Sequence, residues 1–309
     1  MTIFPKNSRV AFLGDSITAA CNWATRVAEY YAKELPQLGV KFKNSGVSGG
    51  SVGSTTAYFS DDTAPFKPTH ACIFLGVNDS RRDLLGRERT EERDEALRTA
   101  FENYKRNYTA LLDKLQADGI TPIIITPAPY AEFFDTGAPA YKGGHTLIRM
   151  YAEFNREIAR ARGLDVIDFH ARLSELYLDE PLYNPDRIHP NDMGHYRMAE
   201  CFMNAQGCGM VPYRPIEEIK ADGKIGEWMT LSHLVRRLYS TEWMLVKVDY
   251  HAPIEEKLAY MQAYVDEQRW IGTGPAAVFE ALSKEYLIYK PKEAEMVAQI
   301  SEIMENIYN

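Results

Sequence analysis

Ala71-Cys72-Ile73-Phe74-Leu75 is apolar at every position. A strand with one wet face alternates polar and apolar residues; a strand without alternation is covered on both sides. This run therefore points to a parallel sheet with helices above and below it. Arg9-Val10-Ala11-Phe12-Leu13, residues 40–43, 122–126 and 164–169 read as four further short strands. Helical patterns lie between them. One runs from Trp23 to Leu35, with Trp23, Val27, Tyr30 and Tyr31 on one face. Others run from Glu91 to Asp118, stopping at Gly119, and from Leu147 to Arg162, stopping at Gly163. Pro190 suits the first position of a further helix that Asn191 to Met203 continues. Strands alternating with helices predict a three-layer α/β/α sandwich with a five-stranded parallel sheet, flavodoxin-like in outline. In such sheets ligands bind beyond the carboxyl ends of the strands.

The pattern changes after Gly207-Cys208-Gly209. Beyond Pro215 strand-like runs disappear, and helices are predicted over 227–246, 253–270, 275–289 and 291–308. Three of them open on a proline at the first helical position, and Glu255, Glu256 and Glu293 fall in first turns. The expected division is residues 1–213 as the α/β domain and residues 214–309 as an all-helical C-terminal extension. Trp228, Trp243, Tyr260, Tyr264, Trp270, Tyr286 and Tyr289 sit there at helical spacing, which reads first as packing. A homodimer interface through these helices and a sugar-stacking surface are the other readings.

Composition narrows the class. A net charge of −8 argues against nucleic acid or an anionic membrane surface as partner. No apolar run reaches the length of a membrane span. Met1 to Ser8 lead almost directly into the first strand without an apolar leader, so a cytoplasmic location is expected; a mature form with its signal removed reads the same. Cys21, Cys72, Cys201 and Cys208 have no CxxC spacing and read as idle thiols of a reducing compartment. No His/Cys cluster has metal-ligand spacing, so neither metal nor cofactor is expected.

Four short segments carry chemistry. Gly14-Asp15-Ser16 directly follows the first strand, where a serine either caps a helix or presents its hydroxyl and its own N–H to a ligand. Asn44-Ser45-Gly46-Val47-Ser48-Gly49-Gly50 follows the second strand, and its glycines let a backbone N–H approach a ligand. The glycines at 46, 49, 50 and 53 miss the dinucleotide spacing, and no Gly-Lys-Ser/Thr follows. Asn78, in Gly76-Val77-Asn78-Asp79, ends a buried strand with a neutral amide donor. Such a donor suits an oxyanion that forms and disappears better than a fixed positive charge does; the plain alternative is a turn-forming Asn-Asp pair. Asp186 and His189, three apart in Asp186-Arg187-Ile188-His189, can set a carboxylate against Nδ1–H and leave Nε2 free for Ser16. Asp15 and Asp79 read as organisers of loop backbone, His195 as a packing residue, and the aromatic loop from Tyr130 to His145 as a lining or lid of the same strand ends. Arg81 to Arg98 reads as a solvated charged face, with substrate contact by Arg81 or Arg82 as the lesser reading.

Taken together and in this order, the four segments resemble the SGNH hydrolases, the GDSL esterase and lipase family, over residues 8–205. The resemblance implies a catalytic triad of Ser16, Asp186 and His189. It implies an oxyanion hole from the N–H groups of Ser16 and Gly49 and the amide of Asn78. Gly49 follows the family spacing of five residues after Asn44, with Gly46 and Gly50 as near neighbours. Asp186-Arg187-Ile188-His189-Pro190 followed by Gly194-His195 is similar to the branch that removes acetyl groups from sugars. The expected function is a serine esterase acting on short acyl esters, acetyl foremost, of a small-molecule or oligosaccharide substrate. Two alternatives remain at this point. One is a lysophospholipase or thioesterase on longer chains; the other is a non-catalytic carbohydrate- or partner-binding protein on the same fold. The resemblance does not extend to the helical extension.

Overall fold

The computed structural model describes residues 3–209, 212–273 and 275–307. Tyr308 and Asn309, the expected ends of the last helix and of the extension, lie outside the described residues. Five strands, β1 (Arg9–Gly14), β2 (Lys41–Gly46), β3 (His70–Phe74), β4 (Thr121–Ile125) and β5 (Asp165–Ile167), form one sheet in the order β2-β1-β3-β4-β5, every neighbouring pair parallel. The helices are α1 (Ser16–Ala19), α2 (Asn22–Glu34), α3 (Val52–Tyr58), α4 (Glu91–Ala117), α5 (Gly144–Arg162), α6 (Phe169–Leu176) and α7 (Asp192–Ala205). Five more follow: α8 (Ile216–Lys220), α9 (Gly223–Leu245), α10 (Ile254–Asp266), α11 (Ala276–Tyr289) and α12 (Glu293–Glu305).

The three layers come from the two-residue period of the strands. Val10, Phe12, Phe42, Cys72, Phe74, Ile123, Ile125 and Ile167 face one side, where α2, α6 and α7 bring Trp23, Val27, Leu173, Met198 and Phe202. Ala11, Leu13, Ala71, Ile73 and Ile124 face the other, against Tyr104, Tyr108, Leu111 and Leu112 of α4 and Tyr151 of α5. Both layers are apolar, which is why Ala71–Phe74 shows no alternation.

The strand boundaries shift in two places that matter. β2 runs on through Asn44, Ser45 and Gly46, which pair with Phe12, Leu13 and Gly14. The glycine-rich segment therefore begins inside the sheet rather than after it. β5 stops at Ile167 because Asp168 turns away to cap α6, accepting from Ala171 N–H at 3.0 Å. The helix α3 and the single π turn after it (Phe59–Thr63) lack a clear period in the sequence and were not expected.

Prolines in the extension sit one or two residues earlier than expected. Pro253 and Pro275 occupy the N-caps of α10 and α11, and Pro291 lies in a short 3₁₀ turn before α12. α9 has apolar residues on two sides, as a helix buried between two bodies must. Ile225, Trp228 and Met229 join the core of the α/β layers, together with Ile303 and Met304 of α12. Val235, Leu238 and Leu245 of the same helix join a second core with Met261, Tyr264, Trp270 and Tyr286. Apolar packing thus runs continuously across the expected 213/214 boundary. Of the aromatic residues expected to pack, Trp243 is half exposed.

Candidate active site

Three strand ends and one loop converge. Gly14 closes β1, Asp15 caps α1 through Ile17 N–H at 2.9 Å, and Ser16 opens that helix. As the first helical residue, Ser16 has an N–H with no partner inside the helix. The helix can sit this close to the sheet only beside a glycine: a Cβ on Gly46 would lie 2.4 Å from the backbone nitrogen of Ala19. Asn44 fixes the same spot by donating to Thr18 O at 2.7 Å and accepting from Gly46 N–H at 2.8 Å.

The glycine-rich turn separates its three candidates. Gly46 N–H goes to Asn44 Oδ1 and Gly50 N–H to Val47 O at 2.8 Å. Gly49 is exposed and left-handed, with φ of 77°, and its N–H has no described partner. Asn78 lies within reach of the same turn. Its Nδ2 donates to Gly50 O at 2.9 Å, which orients the amide and leaves the second Nδ2 hydrogen uncommitted. Asp79 accepts from Val52 N–H at 3.1 Å at the start of α3.

The loop after α6 delivers the histidine. His189 Nε2 lies 2.8 Å from Ser16 Oγ, across 173 residues of chain. His189 Nδ1 lies 2.5 Å from Asp186 Oδ2. The other carboxylate oxygen accepts from the backbone N–H groups of His189 and Ile188 at 2.9 and 3.0 Å, so Asp186 shapes the turn as well as the ring. Burial alone would raise the Asp186 carboxyl, but these hydrogen bonds outweigh it and bring it to about 2. The Asp186 hydrogen bond raises His189 above its ordinary value, against the opposing effect of burial.

Surrounding residues hold this arrangement. Burial pushes both Asp15 and Asp79 up to about 6. Both bond to backbone, in line with the structural reading made of them. Arg187 adopts φ of 65°, costly for any residue other than glycine, and is held there by hydrogen bonds to Ala131 O, Phe134 O and Ala138 O. The Tyr130–His145 loop is thereby tied to the histidine turn. Pro190 sits two residues before the position expected for it: α7 starts at Asp192, capped by Asn191, and Pro190 pairs with Tyr183 in an isolated bridge. His195 is buried, its ring held neutral by burial, which lowers it to about 3. Arg82 turns inward and donates to Val77 O at 3.1 Å.

A cavity of about 560 Å³ opens beside Ser16 and His189. Asn22, Asn184, His195, Thr230 and His233 bring polar groups into a lining that Ile17, Ala20, Ile216 and Met229 otherwise make apolar. Met229, Thr230 and His233 come from α9, so the extension supplies one wall. The same helix reaches the glycine-rich turn: Ser240 Oγ accepts from Ser48 N–H at 2.9 Å, and the Trp243 indole stands beside Gly49. Nothing in the sequence indicated this wall, because periodicity tells which face of a helix is buried but not against what. Among the described residues, no three His, Cys, Asp or Glu side chains gather as a metal site.

The arrangement is a hydroxyl, an imidazole and a carboxylate bonded in series, beside three N–H donors without intramolecular claims. Such a set can deprotonate an alcohol and stabilise a tetrahedral oxyanion. Comparison with known proteins agrees. The profile of the GDSL-like lipase/acylhydrolase family matches residues 12–197. An acetylxylan esterase of Geobacillus stearothermophilus is 24% identical over 226 residues, 64% of this chain and 94% of that protein. A solved structure of an acetylxylan esterase from that organism, Axe2, superposes with a TM-score of 0.56 at 22% identity, covering 69% of this chain and all of that one. A gut microbial diltiazem-metabolizing enzyme superposes with a TM-score of 0.72 at 17% identity, over 100% of this chain and 97% of its own, extension included. With more than half of its length matched by the family profile, the chain belongs to the GDSL-like lipase/acylhydrolase family and is a hydrolase of ester bonds.

Proposed function

We propose that the protein is a serine esterase that removes short acyl groups, acetyl foremost, from carbohydrate hydroxyls. The observation that carries this reading is the unbroken chain Ser16 Oγ–His189 Nε2 at 2.8 Å and His189 Nδ1–Asp186 at 2.5 Å. Ser16 Oγ attacks the ester carbonyl as His189 takes its proton. Asp186 keeps the ring in the tautomer that can accept it and stabilises the imidazolium. The oxyanion is held by the N–H groups of Ser16 and Gly49 and the free Nδ2 hydrogen of Asn78. His189 then protonates the leaving alcohol, and a water hydrolyses the acyl-Ser16 by the same steps in reverse.

Support for an acetylated sugar comes from the hydrogen-bonding side chains of Asn22, Asn184, Thr230 and His233 in the cavity beside Ser16 and from the similarity to an acetylxylan esterase. Hydrolysis rates of 4-nitrophenyl acetate, butyrate and octanoate test the acyl preference. The expected order is acetate fastest and octanoate slowest. Octanoate as the best substrate would replace this reading with a long-chain lipase or thioesterase.

A further inference from the structure

His233 lies on α9, beyond the family-matched residues 12–197, yet it lines the cavity that holds Ser16 and His189. Its Nδ1 is 3.0 Å from the carbonyl oxygen of Ala19, the last residue of the helix that Ser16 opens. A carbonyl only accepts, so Nδ1 carries the proton. Burial, with the nearby positive charges of Arg237 and Lys220, disfavours a second proton and outweighs the Ala19 bond and Glu285. The ring is therefore neutral, and Nε2 is a bare lone pair. No described residue donates to it.

Thr230 lies one turn earlier on the same face of α9. Its hydroxyl proton is spent on Gly226 O at 2.8 Å, so its oxygen also offers lone pairs to the cavity. Lys220, which borders the same space, is paired with Glu217. Lys220 keeps further donors at the rim, but the two α9 positions, Thr230 and His233, present acceptors. Their chemical complement is a pair of hydroxyl donors, and in an ester substrate these belong to the alcohol, because a short acyl group has none.

We propose that Thr230 and His233 form a leaving-group subsite that accepts hydrogen bonds from free hydroxyls neighbouring the acylated oxygen of a polyol. The proposal rests on the esterase reading above and names the part of the substrate that the extension recognises. An ester whose alcohol lacks hydroxyls gains nothing from these two residues.

The test compares a mono-acetate of methyl xyloside, which keeps two free hydroxyls, with 4-nitrophenyl acetate, whose leaving group has none. His233→Asn keeps a donor for Ala19 O and removes the Nε2 acceptor; Thr230→Val removes the other acceptor at nearly constant shape. The readout is the ratio of kcat/KM for the two substrates. One neutral hydrogen bond is worth about three- to tenfold. His233→Asn should lower the ratio by that factor, and the double variant by about ten- to a hundredfold, chiefly through KM for the sugar ester. His233→Gln, with an acceptor oxygen at similar reach, should recover part of the loss. A ratio that does not move, or equal falls on both substrates, overturns the proposal while leaving the esterase reading intact. Calorimetric binding of methyl xyloside itself separates the two claims from the other side. If wild type cleaves neither ester the esterase reading fails. Weaker xyloside binding by His233→Asn than by wild type still supports the subsite, and equal binding or none refutes it.

Discussion

Asp186→Asn probes the site at the point where one side chain does two jobs. In the native turn, Oδ1 accepts both backbone N–H groups while Oδ2 accepts Nδ1–H of His189. An asparagine has one acceptor oxygen. If that oxygen stays with the two backbone donors, the amide NH₂ faces Nδ1, and the ring must shift its proton to Nε2. Nε2 can then no longer take the Ser16 proton, and kcat should fall by about 10³–10⁴. The lost charge-assisted bond also moves the titration. Such a bond contributes about 1.5–3 kcal/mol. The two side chains are 41% and 50% exposed, so solvent screening favours the low end. Without the Asp186 hydrogen bond that raises it, the His189 pKa should drop. The sign follows from the role: His189 must be neutral to act as base, and Asp186 raises its pKa. Activity is therefore present above the raised pKa and lost below it, and the variant's acid limb moves to lower pH. Profiles of kcat/KM against pH on 4-nitrophenyl acetate read both effects. A variant within threefold of wild type, with an unmoved acid limb, would refute the assignment of Asp186.

Three further outcomes are expected. Asn78→Ala should lower kcat by about 10²–10³ with little change in KM, as for loss of one oxyanion donor; steady-state kinetics showing a change in KM alone would make Asn78 a binding residue only. Arg236→Ala takes two 2.7 Å hydrogen bonds from the buried Asp62 carboxylate and leaves it Lys43 at 3.2 Å, so the cost in urea unfolding should be about 3 kcal/mol, the low end for a broken buried pair. A cost below about 1 kcal/mol would show that this pair does not hold α9 to the π turn after α3. Gly46→Ala, whose Cβ would meet Ala19 backbone at 2.4 Å, should destabilise by about 1–3 kcal/mol and reduce activity, because α1 must shift to make room; unchanged stability and turnover would contradict that packing.

How much of this could be read in advance follows from what each signal encodes. Uninterrupted apolar runs located the sheet because both faces of β3 are covered. Turn and strand-end residues drew attention to Ser16, Asn78, Asp186 and His189, and the family resemblance singled out Gly49 from its neighbours Gly46 and Gly50. Short elements escaped: α3 and its π turn and the eight-residue α6 are set by caps and tertiary contacts rather than by a repeating apolar face. Long-range pairings escaped for a different reason. Asp62 and Arg236 are 174 residues apart, and no local pattern announces that a helix in the extension will reach the π turn after α3. The same holds for Arg187, to which the sequence alone assigns no role and which turns out to fasten the Tyr130–His145 loop.

The central claim is that Ser16 is a nucleophile driven by His189. Reaction with an alkyl fluorophosphonate, followed by peptide mass spectrometry, tests it most directly. The account predicts a single adduct on Ser16 in the wild type, none in Ser16→Ala, and labelling slowed at least a hundredfold in His189→Ala. Adduct formation on another residue, or labelling of Ser16 at an undiminished rate without His189, would contradict it.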